Sequence, residues 1–235
     1  MTAPRLVLLL AAILTPAVSY RLGGTNLWIA NGLGAALAAA CALYVLWQDG
    51  LLDDVIKPKG LDISTGFLAA ALLYTTIALV WTRLIAPVDQ LGGLLRRCTL
   101  TGPVLPRLDP HGITAFWELV RLQTCRGYGT SLGLTGPMRG IAIVVIAMLE
   151  EIAWRGGVQQ FLAEKLGTTR GWIAAAFLYS LAHLATGNVM LAALALIAGL
   201  VWGGLFRFRR RLAPGIFSHA VFSYFLFHKL PLVSF

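Results

Sequence analysis

The sequence predicts an all-α polytopic membrane bundle of about seven transmembrane helices plus a short interfacial helix. Three observations predict it. Apolar residues make up 58% of the chain and charged residues only 12%, where a soluble domain carries roughly 25% charged residues. The mean hydropathy is +0.77. The apolar residues also fall into seven runs, separated by polar or Gly/Pro-rich breaks. The net charge is +9, but the basic residues lie mostly between the apolar runs. That placement fits anionic lipid headgroups and topology, and the expectation is a lipid-bilayer partner and no nucleic acid.

The first run, about Leu6–Tyr20, follows Arg5. Ala17-Val18-Ser19 resembles a small-x-small cleavage site, yet an uncleaved first helix is expected because no long soluble domain follows. The second run is about Leu27–Trp47, with Gly34, Ala38 and Cys41 at helical spacing as a small-residue packing face. The connection Gln48–Thr65 holds Asp53, Asp54, Lys57, Pro58 and Lys59 and reads as a solvated loop rather than a cation site. A third run covers about Gly66–Ile85.

Ala86–Met138 breaks the pattern with five prolines and many glycines, which interrupt helices. Within it Ile113, Phe116, Trp117 and Val120 recur at i, i+3, i+4 and i+7, with Glu118 and Arg121 on the other face. That pattern predicts a short amphipathic helix at the interface. Cys98 and Cys125 flank this segment and can pair in an oxidising compartment, whereas Cys41 is a packing residue.

Four more runs follow, about Gly140–Leu162, Gly171–Thr186, Val189–Phe206 and Leu212–Phe227. At about 1.5 Å per residue they cover or nearly cover a hydrocarbon core about 30 Å thick. Gly199 and Gly203 form a GxxxG step, expected at a close helix contact. The organisation expected is one membrane domain, 1–235, divided into N-terminal helices with a Pro/Gly-rich loop (1–138) and a four-helix core (139–227). Arg207, Arg209, Arg210 and Arg211 sit between the sixth and seventh runs, which places that turn and the N-terminus in the cytoplasm. Arg96, Arg97, Arg107, Arg121 and Arg126, in the loop assigned to the outside, vote against this.

Chemistry concentrates in the fourth run, where Glu150, Glu151 and Arg155 stand inside an apolar stretch. Each ionised group at bilayer depth costs roughly 2.5–3.5 kcal/mol on insertion scales, and such groups usually face the bundle interior and mark a site. Glu151 and Arg155 are i and i+4 and share a helix face. Glu150 points about 100° away, lacks that partner and is the freer carboxylate, suited to general-base work. Of the four histidines, His183 and His219 fall in apolar runs, while His111 and His228 lie in a loop and near the chain end. No HExxH helix and no Walker-type loop is present, and no aspartate lies at mid-membrane depth. Ser180 and Ser218 neighbour the histidines without a visible carboxylate-oriented triad.

These residues resemble a known family. Glu150-Glu151-x-x-x-Arg155 looks like the EExxxR motif of the CAAX prenyl endopeptidase and bacteriocin-processing family (CPBP, also called Abi). The family's FxxxH appears as Tyr179-x-x-x-His183, with tyrosine for phenylalanine. Its third motif, histidine followed four residues later by Asn or Asp, appears as His219 with Ser223. The resemblance covers about residues 139–227 and implies that this four-helix part is a catalytic core. It implies an intramembrane endopeptidase whose members cleave near the C-termini of prenylated proteins, or process and protect against peptides in bacteria. Carried over, Glu150 with His183 activates a water, Glu151 and Arg155 hold the helix and tune Glu150, and His219 with Ser223 stabilises the oxyanion. No cofactor is the expected case. The alternative is one divalent metal such as zinc on Glu150, His183 and His219, with one position open. The expected partner is a peptide or protein substrate near a membrane-anchored terminus, the expected location a bacterial inner membrane. Two competing readings are a non-catalytic immunity or scaffold protein of the same fold, and a proton-coupled transporter using Glu150, His183 and His219 as a relay.

Overall fold

Glycines and prolines cut the apolar chain into helices. The computed structural model describes residues 2–85, 119, 120, 123–125, 129 and 133–232. Helix α1 (Ala3–Leu22) opens with a proline in its first turn and ends at Gly23, whose φ of 63° lets the chain reverse into α2 (Gly24–Gln48). A short helix α3 (Leu52–Ile56) leads to α4 (Asp62–Val80), which continues as a π-helical turn, Trp81–Ile85. The chain then runs through α5 (Gly136–Glu151), a π-helical segment (Ile152–Gln159) and α6 (Gln160–Leu166) without a break. Gly167, at φ 82°, turns it into α7 (Thr168–Leu184). Asn188 caps α8 (Val189–Arg209) by accepting from the Leu191 N–H at 2.9 Å, satisfying one of the helix's orphan donors. Helix α9 (Ala213–Tyr224) closes with a π-helical turn, Phe225–Lys229.

The protein is all-helical among the described residues, and its apolar helices make it an integral membrane protein. Among the described residues four helices are long and apolar enough to cross a membrane: Ala3–Leu22, Gly24–Gln48, Asp62–Arg83 and Val189–Arg209. The expected count of about seven runs past this. The other three runs are helical, but α7 has 17 residues, α9 has 12, and the 136–166 pass carries Arg139, Glu150, Glu151 and Arg155. The runs that hold the site are therefore the ones whose length or charge weakens their membrane signal. The interfacial helix expected over 113–120 lies outside the described residues except for Leu119 and Val120, and Cys98 lies outside them too.

One hydrophobic core draws on helices from both halves of the chain. It joins Leu8 and Ala12 of α1, Ala38 and Ala42 of α2, Ala70 and Leu73 of α4, Trp154 and Val158 of the π segment, Tyr179 of α7, Trp202 of α8 and Phe222 of α9. Small residues carry the closest approaches, as van der Waals packing in lipid favours. Gly199 faces Ala176 of α7, and Gly203 faces Trp172.

Charge pairs gather one end of the bundle. Arg5 bonds Asp49 at 2.8 Å and lies 3.3 Å from Glu164. Arg207 donates to Thr169, and Arg209 to Thr65, each at 2.9 Å. Arg211 donates through Nε and Nη2 to the two oxygens of Asp62, whose side chain is fully buried. These contacts tie the starts of α1, α4, α7 and α9 to the ends of α2, α6 and α8.

Helix α9 lies against α4 at Gly66. A β-carbon there would stand 2.7 Å from the Pro214 carbonyl oxygen and 2.8 Å from Phe217 Cβ. Overpacking of this kind costs roughly 1–3 kcal/mol. Gly66→Ala is expected to lower the midpoint of thermal unfolding in detergent. Gly32→Ala, where a β-carbon meets nothing within 4 Å, is expected to leave it unchanged or raised.

Candidate active site

The site is built around a carboxylate with no access to solvent. Glu151, the last residue of α5, is fully buried and accepts the Nδ1–H of His219 at Oε1, 3.0 Å away. Its Oε2 lies 3.3 Å from Arg155 Nε. Helix α9 can come this close only because residue 215 is glycine, since a β-carbon there would stand 2.7 Å from Glu151 Oε2. The Arg155 guanidinium is buried against two aromatic faces, Tyr179 at 4.9 Å and Trp202 at 5.5 Å, and cation–π attraction strengthens in such desolvated places. Arg155 sits in the π-helical segment that begins at Ile152, a winding frequent at functional sites.

Glu150 faces the other way, into a cavity. Its Oε2 accepts the Tyr179 hydroxyl at 3.0 Å and lies 4.0 Å from His219 Nε2. Both imidazoles are oriented through Nδ1. His183 Nδ1 is 2.8 Å from the Tyr179 carbonyl oxygen; a carbonyl only accepts, so Nδ1 carries the proton and Nε2 keeps its lone pair. His219 Nδ1 donates to Glu151, and its ring stacks on Trp202 with centroids 3.7 Å apart and planes 18° apart. Trp202 is held in turn by donating its Nε1–H to Ser218 Oγ at 3.1 Å.

The cavity has a volume of about 120 Å³, ample for water, which needs roughly 10–15 Å³. Its polar wall is Tyr20, Asn31, Glu150, Tyr179, His183, His219 and Ser223; apolar residues such as Ile143, Ile146, Leu191, Leu194, Phe222 and Phe227 form the rest. A mostly apolar cleft with a few convergent polar groups is the usual form of a ligand site.

The structure thus brings Glu150, His183, His219 and Ser223 to one cavity and sets Glu151 and Arg155 behind its wall. Glu151 is paired with Arg155, as their spacing implied, and also orients His219. Sequence reasoning read Tyr179 only as a substitute for phenylalanine, yet its hydroxyl is a ligand of Glu150, and it missed Trp202, Tyr20 and Asn31. A signal for Asn31 was present, as an amide alone in the apolar run Leu27–Trp47. Glu150, His183 and His219 line the cavity, but among the described residues no three His, Cys, Asp or Glu side chains are grouped to hold a metal ion. Gly129-Thr130-Ser131-Leu132-Gly133 spells G-x-S-x-G, but that motif works at a strand-to-helix turn. The described residues include no strand, and Ser131 lies outside them.

The fold and the cavity define a helical membrane protein with a buried carboxylate–imidazole site. Residues 135–225 match the family model described as Type II CAAX prenyl endopeptidase Rce1-like. The matched stretch carries the motifs in the same order, and it is similar there to CAAX-type proteases. The segment runs from the N-cap of α5 to the end of α9 and holds all seven motif residues. No curated protein and no solved structure matches the chain.

The two glutamates should separate in a stability measurement. Glu151→Gln leaves Arg155 as a buried charge without its partner, which typically costs about 3–5 kcal/mol, and is expected to lower the unfolding midpoint strongly. Glu150 keeps 14% of its side chain exposed to the cavity, and a glutamine there still accepts from Tyr179. Glu150→Gln is therefore expected to stay within about 1 kcal/mol of the native protein, as a neutral hydrogen bond contributes about that much.

Proposed function

We propose that the chain is an intramembrane endopeptidase that hydrolyses a peptide bond with water activated by Glu150. The observation that carries this reading is the convergence of one free carboxylate and two pre-oriented imidazoles on a single buried cavity. Glu150 takes a proton from water as the water oxygen bonds to the scissile carbonyl carbon, and the carbonyl π electrons move onto oxygen. His183 Nε2 accepts the hydrogen bond from the water's other hydrogen and fixes its direction. The oxyanion is met from the Nε2 side of His219, whose ring is held at Nδ1 by Glu151 as a carboxylate holds histidine in a triad. Collapse re-forms the carbonyl and breaks the C–N bond, and the amine leaves with the proton that Glu150 gained. Tyr179 keeps the Glu150 carboxylate aimed at the cavity throughout.

The reading extends to a bacterial inner-membrane enzyme with its arginine-rich end in the cytoplasm. Its substrate is a peptide near a membrane-anchored terminus, without a prenyl group. The family match and the polar wall deep among apolar helices support a membrane protease, and the basic turn at 207–211 supports the orientation.

The test uses an internally quenched peptide with an apolar membrane-anchoring tail, beside a farnesylated peptide ending Cys-aliphatic-aliphatic-X, both in proteoliposomes. Glu150→Gln is expected to reduce cleavage about 10²–10⁴-fold, the usual share of a general base. Cleavage at the native rate by this variant would remove Glu150 as the base. Turnover of the farnesylated peptide alone would overturn the substrate assignment.

A further inference from the structure

Asn31 carries a hydrogen-bond donor on the wall of the cavity that holds Glu150, His183 and His219. It belongs to α2, far in sequence from the matched segment 135–225. It lines the main cavity with Glu150, and it also lines a second void of about 10 Å³ whose other walls include Thr15, Pro16 and Glu150. Asn31 and Glu150 thus line both voids. The Asn31 side chain makes no hydrogen bond to any described residue. The amide is half-buried on the cavity wall and is open to a hydrogen bond with the cavity's contents.

His219, on α9, already offers one donor to the oxyanion and Tyr20 adds a hydroxyl to that wall, so an amide on α2 is a second nitrogen donor. Glu150 and His183 Nε2 are acceptors, and the Tyr179 hydroxyl is given to Glu150. Ser223 offers one rotatable hydroxyl where the resembled motif has an amide or carboxylate. Asn31 has two N–H donors on a planar group, carried by a helix whose Ala38 and Ala42 are locked in the core.

We propose that Asn31 is a further catalytic residue, donating its side-chain N–H to the scissile carbonyl oxygen and to the oxyanion that oxygen becomes. This rests on the hydrolase reading above and adds no new covalent step. The carbonyl π pair moves onto oxygen as the hydroxide adds, Asn31 holds that charge without losing its proton, and the pair returns when the C–N bond breaks.

The experiment measures kcat, KM and the unfolding midpoint with the quenched anchored peptide for Asn31→Leu, Asn31→Ala, and Asn31→Leu combined with Ser223→Asn. Removing an oxyanion donor typically costs about 10²–10³-fold in kcat. Both single variants are expected to lose on the order of 10²-fold in kcat with KM within about threefold and an unchanged midpoint. Ser223→Asn returns an amide to the same oxygen from α9 and is expected to recover at least about tenfold of the loss, as a fraction of that donor effect. Retention of kcat within about threefold, or a loss that tracks a falling midpoint, overturns the proposal. Glu150→Gln in the same assay separates the two ideas. If it is inactive while Asn31→Leu is active, only the role of Asn31 fails; if it is active, the hydrolase reading fails first.

Discussion

The buried carboxylate of Glu151 is the constraint around which the rest is arranged. An isolated ionised carboxylate in low dielectric is prohibitively costly, so everything near it answers to its charge. His219 arrives from α9 and Arg155 from the π segment, each on a different oxygen. Those two partners then dictate their own surroundings. Arg155 needs the faces of Tyr179 and Trp202, and Trp202 stacks on His219 and is steadied by Ser218. Four separate stretches of chain are thereby locked by one group that never touches the cavity. Glu150, one residue earlier, inherits a rigid wall on which to act.

Much of the fold was legible because lipid imposes simple rules. Each apolar run between glycine and proline breaks became a helix, and the step at Gly199 and Gly203 became a close contact. Helix termini shifted by a few residues because caps such as Asn188, and π turns such as Trp81–Ile85, carry no hydropathy signal. The same cause blurs the span count. A helix that holds Glu150, Glu151 and Arg155 is less apolar than its neighbours, so hydropathy fades where chemistry begins.

At the site, residue types at fixed spacing pointed to Glu150, His183, His219 and Ser223, because charged and imidazole groups are rare in an apolar chain. Partnerships were less readable. Spacing on one helix pairs Glu151 with Arg155, but nothing local tells that Glu151 also reaches residue 219. Tyr179 looked like an aromatic packing substitute, since phenylalanine and tyrosine differ only in the hydroxyl that turned out to bond Glu150. Asn31 escaped notice because its run is otherwise an ordinary apolar helix, and only the folded bundle shows which face it turns inward.

Pro16, Tyr20, Leu27, Trp28 and Asn31 come from the first two helices, yet they shape the chamber as much as the motif helices do. A polypeptide beginning at Thr135 would keep every motif residue but lose one side of that chamber, leaving Glu150 to meet acyl chains instead of water. The N-terminal hairpin is therefore the chamber's outer wall, and exchanging it between relatives would alter which molecules reach the carboxylate without touching the motifs themselves.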